Sequence, residues 1–201
     1  MNKTTAQKNA GTRQNILDAG YRIMAAKGFS AVGLNEILTA ASVPKGSFYN
    51  YFSSKEAFGE ALLDYYFEDY LAEMTALFAR EDLTVPQRLM EYFRQWRDNQ
   101  SFEDCQGKCL AVKLGAEVAD LSEAMRKSLR RGTAAITQNI AAAIKAGVAE
   151  GSLKVTNDPD ALAQSLYQLW LGASVMVKIM RDTQPFDAAL STTEKLLNQP
   201  A

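Results

Sequence analysis

The sequence predicts an all-α protein of about nine helices, on three observations. Apolar residues recur at helical spacing through almost the whole chain, and capping or stopping residues punctuate those stretches. No strand-like alternation of apolar and polar residues competes with them. A length of 201 residues with 47% hydrophobic content is enough to bury a proper core.

The elements follow in order. Thr12 is placed to cap a first helix whose apolar positions include Ile16, Ile23 and Met24, with Gly28 as its stop. The ten residues before Gly11 are polar, lack an apolar h-region, and read as a frayed arm rather than a signal peptide. Leu34, Ile37, Leu38 and Ala41 form the stripe of a short second helix, with Gly33 at the N-cap and no side chain to cap it. A tight turn, Ala41-Ser42-Val43, leads to a third helix over Lys45–Phe52, with Pro44 in its first turn. Ser53 and Glu56 make a capping box for a long fourth helix to about Arg80, and Thr84 and Gln87 repeat the device for a fifth ending near Asn99. A sixth helix is expected from about Gly107 to Ala119. Asp120-Leu121-Ser122-Glu123 then starts a seventh reaching Gly147 or Gly151. Asp158-Pro159 is an N-cap and N1 pair for an eighth helix to about Arg181, and Pro185 begins the last, through Leu197.

Composition narrows the function. There is no histidine, which removes Ser-His and Cys-His dyads, the commonest zinc ligand and the usual general base. Phosphate-cradling glycine loops are also missing, so no enzyme activity, metal or cofactor is expected. Two cysteines do not form a disulfide framework and fit a reducing, cytoplasmic setting. Arg181 closes the longest apolar stretch, around Leu166–Met180, before it reaches the length of a membrane span. Charge is unevenly spread: residues 1–55 carry seven Lys or Arg against two acids, a net +5, which leaves −6 for the rest. A basic head on an acidic body points the head toward a polyanion.

The segment Gly33–Phe52 reads as a helix-turn-helix. Phe48 and Phe52, four apart, turn one face inward; Lys45, Ser47, Asn50 and Tyr51 lie on the other. Cationic, hydroxyl and amide groups on one short helix suit phosphates and base edges in a major groove, and Gly46 lets the backbone come close.

The stretch GFSAVGLNEILTAASVPKGSFYNYFSSKEAF resembles the N-terminal DNA-binding signature of the TetR family of regulators. The resemblance covers nearly all of helices one to four and includes the lysine-glycine and Tyr-x-Tyr-Phe positions of that pattern. It implies a DNA-binding head at residues 1–55 on a helical regulatory and dimerisation body at 56–201. By position it assigns Lys45 and Gly46 to the start of the recognition helix. Ser47, Tyr49 and Asn50 then fall at bases or neighbouring phosphates, and Tyr51 and Lys55 at phosphate clamps. Gly33-Leu34 departs from the threonines common at the start of helix two, so a phosphate contact there is missing or left to backbone amides.

A homodimer on a near-palindromic operator in double-stranded DNA is implied, with the last two helices as the dimer surface. The stripe Leu162, Leu166, Leu169, Ala173 and Val177 is too apolar to leave wet, and packs either between copies or inside one.

The body is expected to hold the signal. Cys109 lies in the first turn of the predicted sixth helix beside Lys108, and a helix N-terminus with a nearby cation favours thiolate. The run GKCLAVKLGAEVADLSEAMR, with LWLGASVMVK, resembles a branch of the same family that includes N-ethylmaleimide reductase repressors and acrylate-responsive repressors, several of which respond to electrophiles. Lys178, in a mostly apolar setting, is the companion cation if it lies near Cys109, and otherwise a solvated lysine at a helix end. Cys105 is a candidate resolving thiol. Tyr65, Tyr92, Trp96 and Trp170 line a ligand cavity or simply fill the core. The expected function is transcriptional regulation, as a repressor released by a small ligand or by cysteine modification. An activator of the same fold is the first alternative. The other is a cytosolic thiol enzyme in which Cys109 relies on Lys178 or a carboxylate as base.

Overall fold

The computed structural model describes the backbone at residues 3–105, 109–156 and 158–198, and side chains at 11–101, 109–156 and 158–198. Among these residues there are nine helices and no strand: α1 (Lys3–Lys27), α2 (Leu34–Ala41), α3 (Lys45–Tyr49), α4 (Lys55–Phe78), α5 (Val85–Cys105), α6 (Leu110–Leu121), α7 (Glu123–Ala149), α8 (Pro159–Met180) and α9 (Gln184–Leu197). No helix among the described residues is long and apolar enough to cross a membrane.

The chain divides into two compact units, Met1–Glu68 with Cys109–Arg131, and Asp69–Lys108 with Gly132–Ala201. The 55/56 division expected between head and body falls at the first residues of α4, and the first unit takes in α6 as well.

Several expected boundaries shift, each for a local reason. Helix α1 starts at Lys3, so Thr12 lies inside it and the arm is helical from there. Ala6, Gln7, Lys8 and Ala10 are good helix formers, and no proline interrupts them. Ser54, not Ser53, caps α4, its Oγ accepting the Ala57 N–H at 3.1 Å. The Thr84 box forms as expected: the Thr84 N–H donates to Gln87 Oε1 at 2.9 Å and the Gln87 N–H to Thr84 Oγ1 at 3.4 Å. Helix α5 then continues beyond Asn99 to Cys105 because nothing in that polar stretch breaks it. Ser122 ends α6 and starts α7, accepting the Met125 N–H. Asp158 caps α8 by accepting the Ala161 N–H at 2.9 Å, with Pro159 following.

In the first unit, α1 packs on α2 and α6. Its core joins Ile16, Leu17 and Met24 to Ile37, Phe48, Phe58 and Leu62, all fully buried. Gly20 makes room for that core, since a Cβ there would lie 2.3 Å from the Phe58 ring and the ring would have to move. In the second unit, α5, α8 and α9 pack together around Trp170. Its ring stacks between Phe93 (5.0 Å) and Phe186 (5.7 Å).

Candidate nucleic-acid interface and thiol site

The turn between α2 and α3 falls at Ala41-Ser42-Val43, as expected, and turns on Ser42. Ser42 adopts a left-handed conformation, φ 54°, and its N–H and that of Val43 return to the Thr39 and Leu38 carbonyls. A left-handed serine costs roughly 1 kcal/mol and persists because these bonds hold it. Gly33 is the N-cap of α2 and makes no side-chain bond, as expected. Pro44 is the N-cap of α3 rather than part of its first turn, and α3 ends at Tyr49, three residues short of the expected Phe52. Tyr51 and Phe52 still donate their N–H groups to the Phe48 carbonyl, so the turn closes without another regular residue.

Phe48, Phe52 and Phe58 form a three-ring cluster with centroids 5.1–5.6 Å apart, which anchors α3 from below. The other face is open: Lys45, Gly46, Tyr49 and Asn50 are exposed, while Ser47 and Tyr51 are half-buried. Tyr49 leaves half its surface in solvent, unusual for an aromatic. Nothing lies within 4 Å of where a Gly46 Cβ would sit, so the fold does not itself require glycine there. The open face thus exposes four of the seven residues expected at DNA, with Ser47 and Tyr51 half-buried at its edge.

Lys55 is placed differently. Its Nζ donates to the Phe29 carbonyl at 2.7 Å and sits 4.4 Å from the centre of the Phe29 ring. At least one of its three ammonium protons therefore serves the corner between α1 and α2. Sequence periodicity could not show this, because the partner is 26 residues away.

Cys109 is the N-cap of α6, one position before the first turn expected for it. It is half-buried, and the Tyr66 hydroxyl on α4 donates to its Sγ at 3.3 Å. Tyr66 was not anticipated; no spacing rule connects residues 43 apart. Cys105 ends α5, and its side chain lies outside the described residues.

Of the remaining candidates Tyr65 lies in the first unit, and Tyr92, Trp96, Trp170 and Lys178 belong to the second. Trp170 is fully buried, its Nε1–H donating to Thr193 Oγ1 at 3.0 Å. Trp96 is nearly so and donates to Ser174 Oγ at 3.0 Å. Both indoles therefore have packing roles with their polar atoms satisfied. Tyr92 is buried, sharing a 2.8 Å hydrogen bond with Tyr70, and Tyr65 is half-buried. Lys178 is half-buried in the last turn of α8, where a cation complements the helix dipole. Among the described residues no group of acids and cysteines is arranged to hold a metal.

The apolar stripe of α8 resolves in favour of the monomer for most of its length. Leu162, Leu166, Ala173 and Val177 are buried within the second unit, and Leu169 is half-buried. A different face of α8 is exposed: Val175, Met176, Ile179 and Met180, with Ile179 keeping 68% of its surface in solvent. Gly172 lies one turn earlier, with nothing within 4 Å of where its Cβ would be.

Comparison with known proteins agrees with this architecture. Residues 16–62 match the bacterial regulatory proteins of the tetR family, and residues 85–193 match a tetracyclin repressor-like C-terminal domain. The chain is 37% identical to the HTH-type transcriptional repressor NemR of Escherichia coli K12 over the full length of both. It is 34% identical to the repressor DhaR of a Mycobacterium species, over 93% of this chain and 96% of that one. The crystal structure of the reduced form of E. coli NemR superposes with a TM-score of 0.90 at 38% identity, covering 95% of this chain and 99% of the other. These relatives are regulators and not enzymes. With a helix-turn-helix whose open face is polar and cationic, on a helical body matched along its length, the chain belongs to the TetR family of DNA-binding transcriptional regulators.

Proposed function

We propose that the protein is a cytoplasmic repressor that binds a near-palindromic operator as a homodimer and leaves it when Cys109 is modified by an electrophile or oxidant. The observation that carries the sensing part is the Tyr66 hydroxyl donating to Cys109 Sγ at the N-cap of α6. A hydroxyl donor and a helix N-terminus both stabilise negative charge on sulfur, and the thiolate is the nucleophile. Half-burial leaves a small reagent a way in. With an activated alkene, the thiolate forms a C–S bond to the β-carbon, and the resulting enolate takes a proton from water.

On the DNA side, Lys45, Ser47, Tyr49, Asn50 and Tyr51 face bases and phosphates, with Gly46 giving close backbone approach. Lys55 supports them from the corner it holds. The exposed α8 face carries the second copy: four apolar side chains in water and a mid-helix glycine without an internal neighbour suit close helix-helix contact. Relatives named as repressors over their full length support repression rather than activation.

The test is operator binding with the protein's own upstream DNA, before and after N-ethylmaleimide. Loss of binding in the wild type and retention in Cys109→Ser is expected. Equal loss in both would move sensing away from this thiol.

A further inference from the structure

We propose that Glu117 is the positioning residue through which α6 holds the corner between α1 and α2, so that a change at Cys109 reaches the DNA-reading head. This rests on the reading of Cys109 given above. All the groups involved lie in the first compact unit.

The geometry is a two-pronged grip on a short piece of backbone. Glu117 Oε2 accepts the Phe29 N–H at 3.0 Å and Oε1 accepts the Ser30 N–H at 2.6 Å. Gly28, at φ 90°, makes room: a Cβ there would lie 3.0 Å from Glu117 Oε2 and would strain the backbone besides. From the other side, Lys55 donates to the Phe29 carbonyl. The Phe29 ring lies where a Cβ on Gly59 would approach it to 2.7 Å. A carboxylate thus holds the donors of the corner, and an ammonium holds an acceptor.

The grip matters because α6 begins at the sulfur. Leu110, Leu114 and Val118 bury one face of α6 in the first unit, so it acts as one stiff piece. Cys109 and Glu117 are eight residues apart, about 12 Å along the axis. The Tyr66 bond fixes one end of α6, and the Phe29–Ser30 amides fix the other. An adduct on Cys109 displaces the Tyr66 bond, shifts α6 as a whole, and pulls the carboxylate from the corner that sets how α2 and α3 leave α1.

The test reads the two amides directly. The protein is alkylated with N-ethylmaleimide, the adduct is placed on Cys109 by mass mapping, and hydrogen exchange is followed by NMR. Exchange at Phe29 and Ser30 is expected to quicken at least tenfold, with no change in Cys109→Ser treated alike; unchanged exchange overturns the proposal. Operator binding gives a second readout. The ratio of affinities before and after alkylation should shrink at least fivefold in Glu117→Gln, whereas a purely structural role would leave that ratio at the wild-type value. If alkylation does not weaken operator binding by the wild type, the sensing role of Cys109 fails, and the exchange measurement decides the grip by itself.

Discussion

The Tyr66 hydroxyl and the Cys109 sulfur meet at 3.3 Å, joining α4 to the N-cap of α6. Removing the donor in Tyr66→Phe should slow alkylation of Cys109 at neutral pH by about tenfold, near the low end of what a hydrogen bond to a charged atom contributes. Stopped-flow maleimide kinetics measure this. Equal rates for the two proteins would show that the hydroxyl does not act on the sulfur.

Gly46 is free of internal neighbours and its backbone is helical, so Gly46→Ala should fold normally and gain about 0.5–1 kcal/mol of stability. Operator affinity should nevertheless fall, because the new methyl stands where the groove approaches. Lys45→Ala should reduce the slope of log affinity against log salt by about one unit. Titrations by fluorescence anisotropy at several salt concentrations check both.

Ile179→Glu places a charge on the exposed apolar face of α8 without touching the core of the second unit. Sedimentation should show a monomer, with operator binding lost and thermal stability of the separated chain little changed. A persisting dimer would move the interface elsewhere.

Thr193 takes the indole N–H of the fully buried Trp170. Thr193→Val strands that donor, which costs about 1–3 kcal/mol and should lower the Tm by several degrees. A change in effector response without a change in Tm would instead give Trp170 a ligand role.

Glu117 provides a pH dependence. Burial by itself would raise its pKa, but the Ser30 side chain, the Ser30 and Phe29 N–H groups and the Lys55 charge together outweigh it and hold the value below the ordinary 4.5. A depressed folded value means that the contribution to stability is fully present above about pH 4.5 and is lost as pH falls through the lower folded value. Glu117→Gln should be less stable at neutral pH and lose less on acidification. Chemical denaturation at pH 7 and pH 3.5 gives the comparison.

Much of the reading head was legible along the chain. The stripe in α2, the Phe48–Phe52 pair and the uncapped Gly33 are local patterns, and the exposed Lys45 and Asn50 follow from them. Tyr49 was placed only by the family resemblance, and Ser47 and Tyr51, expected on the open face, are half-buried. Helix order and the Thr84 and Asp158 caps are local too, because a cap and its amide lie three residues apart. Boundaries such as the start of α1 and the end of α5 were less legible, since no breaking residue marks them.

The sequence by itself determined an all-α chain with a helix-turn-helix and a thiol at the start of α6, which local periodicity and capping carry. That the helix-turn-helix reads DNA followed from its resemblance to the TetR family. Tertiary structure alone decided what each polar group meets: Tyr66 with Cys109, Lys55 with Phe29, and Glu117 with the α1–α2 corner. It also decided which side of α8 stays in water. These pairings join residues 26 to 88 positions apart, and they exist because buried backbone and charge must find partners wherever packing brings the helices together.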